Sequence, residues 1–176
     1  MSGAPTIETE RLVLRGPRPG DHLAVAEMLN DPEVHRYLGP IADNPVADVF
    51  SRHMRGAGSW SLYGYGFFMA HDRITGELVG QGGVFHSWRG FGKGMDDVPE
   101  AGWTVARPFW DMGYGSEIMR AALAWFDAAH GPRRIACMIE DGNEASFRLA
   151  GRLGFVGYGE HLLDDGASVV LLERQA

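Results

Sequence analysis

Features typical of secreted, membrane-spanning and cysteine-metal proteins are missing from this 176-residue sequence. Its single cysteine, Cys137, cannot form an internal disulfide or anchor a zinc site by cysteine-pair spacing. No apolar run approaches the roughly 18 residues of a membrane span, and the first 15 residues lack the apolar segment of a signal peptide. Internal repeats and linker-like tracts are also absent. We therefore expect one cytoplasmic domain over residues 1–176, with no membrane partner.

Positive charge is scarce: 16 Lys and Arg stand against 23 Asp and Glu, a net charge of -7. A nucleic-acid partner is not expected, because phosphate binding requires a net basic face. Mild acidity is also common in soluble proteins, so charge alone names no substrate. Apolar residues at 45% and aromatic residues at 11% are ordinary for a globular chain with its own core.

Several catalytic motifs are absent too. Gly92-Lys93-Gly94 lacks the hydroxyl residue that holds magnesium in a phosphate-binding loop, and Ile118 stands where a dinucleotide fingerprint has its third glycine. The seven histidines form no His-Glu-x-x-His pair, and no Gly-x-Ser-x-Gly elbow occurs. We therefore expect no nucleotide cofactor of these classes and no metal.

Strand and helix patterns alternate along the chain, which predicts a mixed α/β layer. Pro32 follows Asp31 as a helix start, and Pro108 ends a strand. The polar, glycine-rich stretch 87–99 is predicted to be a loop. Short apolar or alternating runs predict strands at 11–15, 66–71, 77–85, 101–105, 135–139, 156–161 and 167–172, and helical spacing predicts helices at 22–30, 46–55, 118–130 and 143–153.

The main chemical signal is the segment Trp110-Asp111-Met112-Gly113-Tyr114-Gly115-Ser116, which joins a strand to a helix. A helix N-terminus has unpaired N–H groups and a positive dipole end, so it attracts an anion. Glycine lets these donors approach an oxygen without a Cβ in the way. The segment is therefore either an anion site or a tight turn whose glycines only supply positive φ.

Two motifs give a family resemblance. The segment PFWDMGYGSE, residues 108–117, and the segment NEASFRLAGRLGF, residues 143–155, together resemble the GNAT superfamily of acyl-CoA-dependent N-acetyltransferases. Within it, the chain is similar to the ribosomal-protein N-terminal acetyltransferase branch, and so is its opening TERLVLR, residues 9–15. The likeness covers nearly the whole chain.

The resemblance implies a single-domain α/β fold with a mixed, mostly antiparallel sheet of about six to seven strands flanked by helices. It also implies transfer of an acetyl group from acetyl-CoA, a co-substrate, to a primary amine by direct attack in a ternary complex. The acceptor is a protein N-terminal amine or a small-molecule amine. A homodimer is compatible with the resemblance, and the sequence does not determine the assembly.

The resemblance also assigns cofactor-binding residues. The strand residues Trp103, Thr104, Val105 and Ala106 would contact the pantetheine arm, as would Asn143. The turn residues Trp110, Asp111, Met112, Gly113, Tyr114, Gly115 and Ser116 would cradle the pyrophosphate. Arg148 or Arg152 would meet the outer phosphate or, alternatively, remain solvated on a helix face.

One departure from the family concerns the acid that protonates the leaving thiolate. Many members have a tyrosine seven residues after the asparagine, where this chain has Ala150. In the ribosomal-protein branch a serine is the proposed substitute, so Ser146 is the candidate donor to the sulfur as well as a cofactor contact. Alternatively, Ser146 only satisfies the helix start. The missing tyrosine also raises the hypothesis of a non-catalytic acyl-CoA-binding sensor, and a third hypothesis is a structural α/β protein whose glycine turn binds nothing.

The amine must lose a proton before it attacks the thioester. Glu100 is the candidate base because it precedes the strand 101–105, and its alternative is an exposed strand-end charge. Glu140, Asp97 and His86 are weaker candidates near strand ends. The predicted loop carries three candidate substrate residues, Trp88, Arg89 and Phe91, together with Lys93, unless it is only a surface loop.

Overall fold

The structure, a computed structural model, describes residues 3–40 and 42–176, so the predicted polar start at Met1 and Ser2 lies outside the described residues. The strands are β1 (Ile7–Glu8), β2 (Leu12–Arg15), β3 (Phe67–Asp72), β4 (Leu78–Trp88), β5 (Asp96–Val105), β6 (Ile135–Glu140), β7 (Val156–Leu162) and β8 (Ser168–Arg174). The helices are α1 (Asp21–Leu29), α2 (Pro32–His35), α3 (Pro45–Tyr63), α4 (Tyr114–His130) and α5 (Glu144–Arg152). None of the helices described is long and apolar enough to cross a membrane.

The strands form one sheet in the order β1-β2-β3-β4-β5-β6-β8-β7. Every neighbouring pair is antiparallel except β5 and β6, which run parallel. The predicted mixed, mostly antiparallel sheet is confirmed. All seven predicted strands are present, and the eighth, β1, has only two residues, too few for a periodic signal.

The predicted loop at 87–99 is wrong at both ends and correct only over its middle. β4 continues to Trp88 and β5 begins at Asp96, so only residues 89–95 connect them. Asp96 closes this turn because its carboxylate accepts hydrogen bonds from the backbone N–H groups of Gly90 and Gly92. Asp96, Val98 and Pro99 are paired with β4, and Asp97 lies at a bulge between these pairs. Pairing across a sheet overrides the local preference of polar residues for loops.

Helix α3 also exceeds its prediction, since it runs on from the expected end at 55 to Tyr63. Its last turn is held by Trp60, whose ring packs edge-on against Phe68 and beside Trp125. The Trp60 indole N–H also donates to the Phe67 carbonyl at 2.9 Å. Tertiary packing thus extends a helix whose interior contains glycines.

Different helices pack on the two faces of the sheet. On one face α4 buries Ile118, Met119 and Phe126, all 0% exposed. A side chain at Gly82 of β4 would come within 2.9 Å of Ile118 and Met119, so glycine allows α4 to lie directly on the strand. On the other face α1 and α3 form a smaller apolar cluster with Met69 of β3. The space between this cluster and the centre of the sheet becomes a cavity.

Candidate active site

A gap opens in the sheet between β5 and β6. Their parallel ladder contains only two pairs, Glu100 with Ala136 and Ala101 with Cys137. Beyond these pairs β5 continues with β4 as far as Val105, while β6 continues with β8. Since a strand directs alternate backbone groups to its two edges, residues 102–105 offer N–H and C=O groups to this gap. An extended ligand could pair with them as a strand would.

The predicted anion site is the turn that follows β5. A short 3₁₀ turn, Arg107–Phe109, leads into Trp110, whose indole N–H donates to the Val105 carbonyl at 2.8 Å. Gly113 is the N-cap of α4 with φ 81°, in the left-handed region. The first intrahelical acceptor is used by Glu117, so the N–H groups from Tyr114 to Ser116 have no acceptor within the helix.

Side chains of the turn are accessible except for one. Trp110 and Met112 are 40% and 53% exposed, whereas Tyr114 is only 7% exposed. The Tyr114 ring lies 4.0 Å below the Arg11 guanidinium and edge-on to Phe109. Among the predicted phosphate residues, Tyr114 therefore offers its backbone N–H and not its side chain.

Helix α5 brings two predicted residues to the gap. The Asn143 side chain caps the helix, accepting a hydrogen bond from the Ser146 N–H at 3.2 Å. Both residues border the cavity described next. Ala150, at the usual tyrosine position, is fully buried in the main core, so a side chain there faces α4 and the sheet. Arg148 and Arg152 are exposed on α5.

A cavity of about 540 Å³ lies on the α1 and α3 side of the gap. Residues from β5 and β6 form one wall, including Trp103 and Thr104, and α1 and α3 contribute Val25 and Arg52 to the other. A volume of this size is typical of small-molecule sites. Of the predicted cofactor residues, Trp103, Thr104, Asn143 and Ser146 border the cavity. Val105 and Ala106 do not border it, and residues 110–116 form the turn and the first residues of α4.

Glu100 lies in the middle of β5, and its alternative interpretation as an exposed strand-end charge is wrong because it is 2% exposed. It lines the cavity and forms a two-point ion pair with Arg89, with distances of 2.9 Å and 2.5 Å. Burial disfavours the charged form of Arg89, but the hydrogen bonds that Arg89 donates to Glu100 and the attraction of the carboxylate outweigh it and raise the guanidinium pKa. A buried charge requires such a partner, because an unpaired one is expensive.

The other two predicted substrate residues are placed elsewhere. Trp88 is 73% exposed and does not border the cavity. Phe91 stacks on His161 of β7 with ring centroids 3.8 Å apart, and the Lys93 ammonium donates to the Glu160 carbonyl at 2.8 Å. The short β4–β5 turn is therefore fastened to β7, and only Arg89 reaches the predicted pocket.

Of the three weaker base candidates, only Glu140 borders the cavity. His86 and Asp97 bind each other at 2.9 Å, and the second His86 nitrogen meets the Tyr65 hydroxyl at 2.8 Å, away from the cavity. Glu140 lines the cavity at the end of β6. Cys137 is buried, which raises the pKa of its thiol well above the usual value and suits a small core residue rather than a nucleophile.

The sequence analysis did not single out the residues that α3 and the preceding segment bring to the cavity. Tyr37 borders it, and its hydroxyl donates to the Gly142 carbonyl, 105 positions later, at 3.0 Å. No local pattern indicates such a contact. Arg52 and Arg55 also border the cavity, and their spacing of three on α3 places them on one helix face.

Comparison with known proteins finds relatives that are acetyltransferases. The acetyltransferase (GNAT) domain matches residues 11–156. A Bordetella pertussis protein assigned to the GNAT family shares 36% identity and a TM-score of 0.83, with 97% of this chain and 99% of that chain covered. The N-acetyltransferase YoaA of Bacillus subtilis is 28% identical, covering 86% of this chain and 82% of YoaA. RimL, a ribosomal L7/L12 α-N-protein acetyltransferase solved with coenzyme A, shares the fold at 15% identity and a TM-score of 0.73, covering 97% and 98% of the two chains.

Proposed function

Because this chain belongs to the GNAT family of acetyltransferases, we propose that it moves an acetyl group from acetyl-CoA to a primary amine seated in the cavity. The observation that carries the proposal is the β5–β6 gap, which borders the cavity and follows directly into the turn before α4. The cavity volume of about 540 Å³ suits a small amine or the first residues of a protein chain.

The donor fits the residues along this path. An extended pantetheine arm pairs with the open edge of residues 102–105, with Asn143 beside it. The pyrophosphate lies against the N–H groups at the start of α4, where Gly113 leaves room, since a Cβ there would meet only Arg11 at 3.7 Å. The exposed turn and the strand gap therefore suit the two ends of one ligand.

The chemistry forms one bond and breaks one. The amine nitrogen bonds to the thioester carbonyl carbon, the carbon–sulfur bond breaks, and the products are an N-acetyl amine and coenzyme A. A backbone N–H near Val105 polarises the carbonyl. The amine proton passes to Glu100 directly or through water, and the Ser146 hydroxyl donates to the departing sulfur. Both side chains border the same cavity, which supports this assignment.

The first experiment tests donor binding. Thermal unfolding is followed while acetyl-CoA, coenzyme A or NADH is added. A ligand at a hundredfold its Kd stabilises by about 2.7 kcal/mol, which corresponds to several degrees at roughly 2–4 °C per kcal/mol. We expect a saturable rise with both coenzyme A forms and none with NADH. No rise at millimolar acetyl-CoA would contradict the proposal.

The second experiment tests the acceptor. Thiol release is measured with small primary amines and with short peptides that differ only in a free or blocked N-terminus. We expect turnover with at least one free amine and none with its blocked form. Binding of acetyl-CoA without turnover on any amine would instead favour the acyl-CoA sensor.

Two substitutions test the catalytic assignment, each with a matched control. Glu100→Gln is compared with Asp127→Asn, because Asp127 also forms a two-point pair with an arginine, Arg174, but does not border the cavity. We expect Glu100→Gln to lower kcat by about 100-fold or more. Unchanged kcat would remove Glu100 as the base.

Ser146→Ala is compared with Ser61→Ala, which changes an exposed serine on α3. We expect kcat to fall by roughly tenfold or more only in Ser146→Ala, because the leaving sulfur loses a donor. If both variants fold and release thiol at the wild-type rate, Ser146 is not the acid.

A further inference from the structure

The opening motif at 9–15 has no part in the function described so far, yet it contacts the start of α4. The Arg11 Nε donates to the Glu117 carboxylate at 2.7 Å, and the Arg11 backbone N–H donates to the same carboxylate at 2.9 Å. The Thr9 hydroxyl donates to it at 2.6 Å. One carboxylate in the first turn of α4 therefore anchors two residues that lie more than 100 positions earlier in the chain.

Arg11 also reaches the turn itself. Its Nη1 donates to the Met112 carbonyl at 2.9 Å, while the guanidinium lies 4.0 Å over the Tyr114 ring. The side chain thus bridges α4, through Glu117, and the residue immediately before Gly113. A guanidinium suits this task because its rigid fork presents several donors at fixed angles.

The turn requires outside support. Asp111 has φ 58° and Gly113 has φ 81°, so Met112 is flanked by two residues in the left-handed region. The left-handed region is unfavourable for a residue with a Cβ, although aspartate adopts it more readily than most. The side chains of Trp110 and Met112 are well exposed, so packing contributes little to holding the turn. Trp110 fastens one end to Val105, and Arg11 fastens the other.

We infer that Arg11 is a positioning residue for the phosphate-binding turn, an inference that rests on the proposed function. The peptide between Met112 and Gly113 is planar and trans, so its C=O and N–H point in opposite directions. When Arg11 holds the Met112 carbonyl, the Gly113 N–H is directed to the opposite side. Arg11 thereby orients a donor for the pyrophosphate without contacting the ligand.

The test compares Arg11→Lys with Arg73→Lys. Arg73 fastens the same hairpin, donating to the Thr9 carbonyl at 2.8 Å and pairing with Glu8 at 3.5 Å, but it does not contact the turn. Each variant is assayed with acetyl-CoA and with S-acetylpantetheine, which lacks the pyrophosphate. We expect Arg11→Lys to raise the KM for acetyl-CoA roughly tenfold, the loss of about one charge-assisted hydrogen bond. Its kcat and its KM for S-acetylpantetheine should match those of the wild type, and Arg73→Lys should change neither KM.

The outcomes separate this inference from the proposed function. If the wild type does not bind coenzyme A, the proposed function fails first. Suppose instead that the wild type binds coenzyme A. If Arg11→Lys then has an unchanged KM for acetyl-CoA, or a KM raised equally for acetyl-CoA and S-acetylpantetheine, Arg11 does not position the turn. Glu117→Gln is the second variant, because it replaces the Arg11 anchor with a side chain of equal size. Glu117→Gln should also raise the KM for acetyl-CoA but not the KM for S-acetylpantetheine. An equal effect on the two KM values would overturn the inference even if Arg11→Lys does not fold.

Discussion

The glycine at the start of α4 allows a prediction that separates stability from ligand binding. Gly113 has φ 81° and ψ 2°, so Gly113→Ala places a Cβ in the left-handed region. That conformation costs about 1–2 kcal/mol for a residue with a Cβ. No clash adds to it, since the nearest atom to the new Cβ is the Arg11 Nη2 at 3.7 Å. We expect the melting temperature to fall by roughly 2–8 °C, at about 2–4 °C per kcal/mol.

The chain contains a matched control for this substitution. Gly20 is the N-cap of α1 with φ 94° and ψ -23°, and a Cβ there has no neighbour within 4 Å. Gly20→Ala should therefore lose a similar amount of stability, but Gly20 does not adjoin the phosphate-binding turn. Thermal unfolding measures the first effect, and calorimetric titration with coenzyme A measures the second.

The two variants should differ only in binding. In Gly113→Ala the added Cβ disfavours the left-handed conformation that the turn before α4 requires, and we expect the Kd for coenzyme A to rise about tenfold, the value of one hydrogen bond to a charged group. In Gly20→Ala the Kd should be unchanged. Equal Kd values in the two variants would refute the placement of the pyrophosphate at this turn, whatever the stability loss.

Three further predictions concern stability and access. Phe126→Ala removes a ring that is 0% exposed in the main core and should cost about 3–5 kcal/mol in urea unfolding; a loss under about 1 kcal/mol would contradict the packing. Burial opposes ionisation of Glu117, but hydrogen bonds from Thr9 and Arg11 outweigh it and lower its pKa below the usual value near 4.5. Its contribution to stability is therefore present above pH 4.5 and lost as the pH falls further, and Glu117→Gln should flatten the dependence of the unfolding free energy on pH below 4.5. Tyr37→Phe removes a bond across the cavity and should alter the KM for the amine while leaving the Kd for coenzyme A unchanged; the reverse pattern would place Tyr37 on the donor side.

Much of the fold was predictable because its signals are local. Apolar or alternating runs of five to nine residues locate all the longer strands. The boundaries failed where partners override composition, as at 96–99, where a polar segment pairs with β4. The helix beyond residue 55 depended on Trp60 meeting side chains from β3 and α4. Neither effect is visible in a short window of sequence.

The candidate site shows the same division. The turn at 110–116 was located from the sequence, since glycine placement between a strand and a helix is a local feature. The burial of Glu100 and its ion pair were not predicted from the sequence, because they depend on the contact with Arg89 from the β4–β5 turn. The placement of Phe91 against His161 likewise joins residues 70 positions apart in the numbering.

The sequence by itself determined the order of strands and helices, the turn that begins α4 and the family likeness. Each of these depends on residues within a few positions of one another, whose backbone preferences act before any tertiary contact forms. Only the tertiary structure decided where β5 and β6 part, which carboxylate is buried in the cavity and which arginine contacts the turn before α4. The contact of Arg11 with Glu117 spans 106 positions, and such a contact exists only once the fold has brought β2 and the start of α4 together.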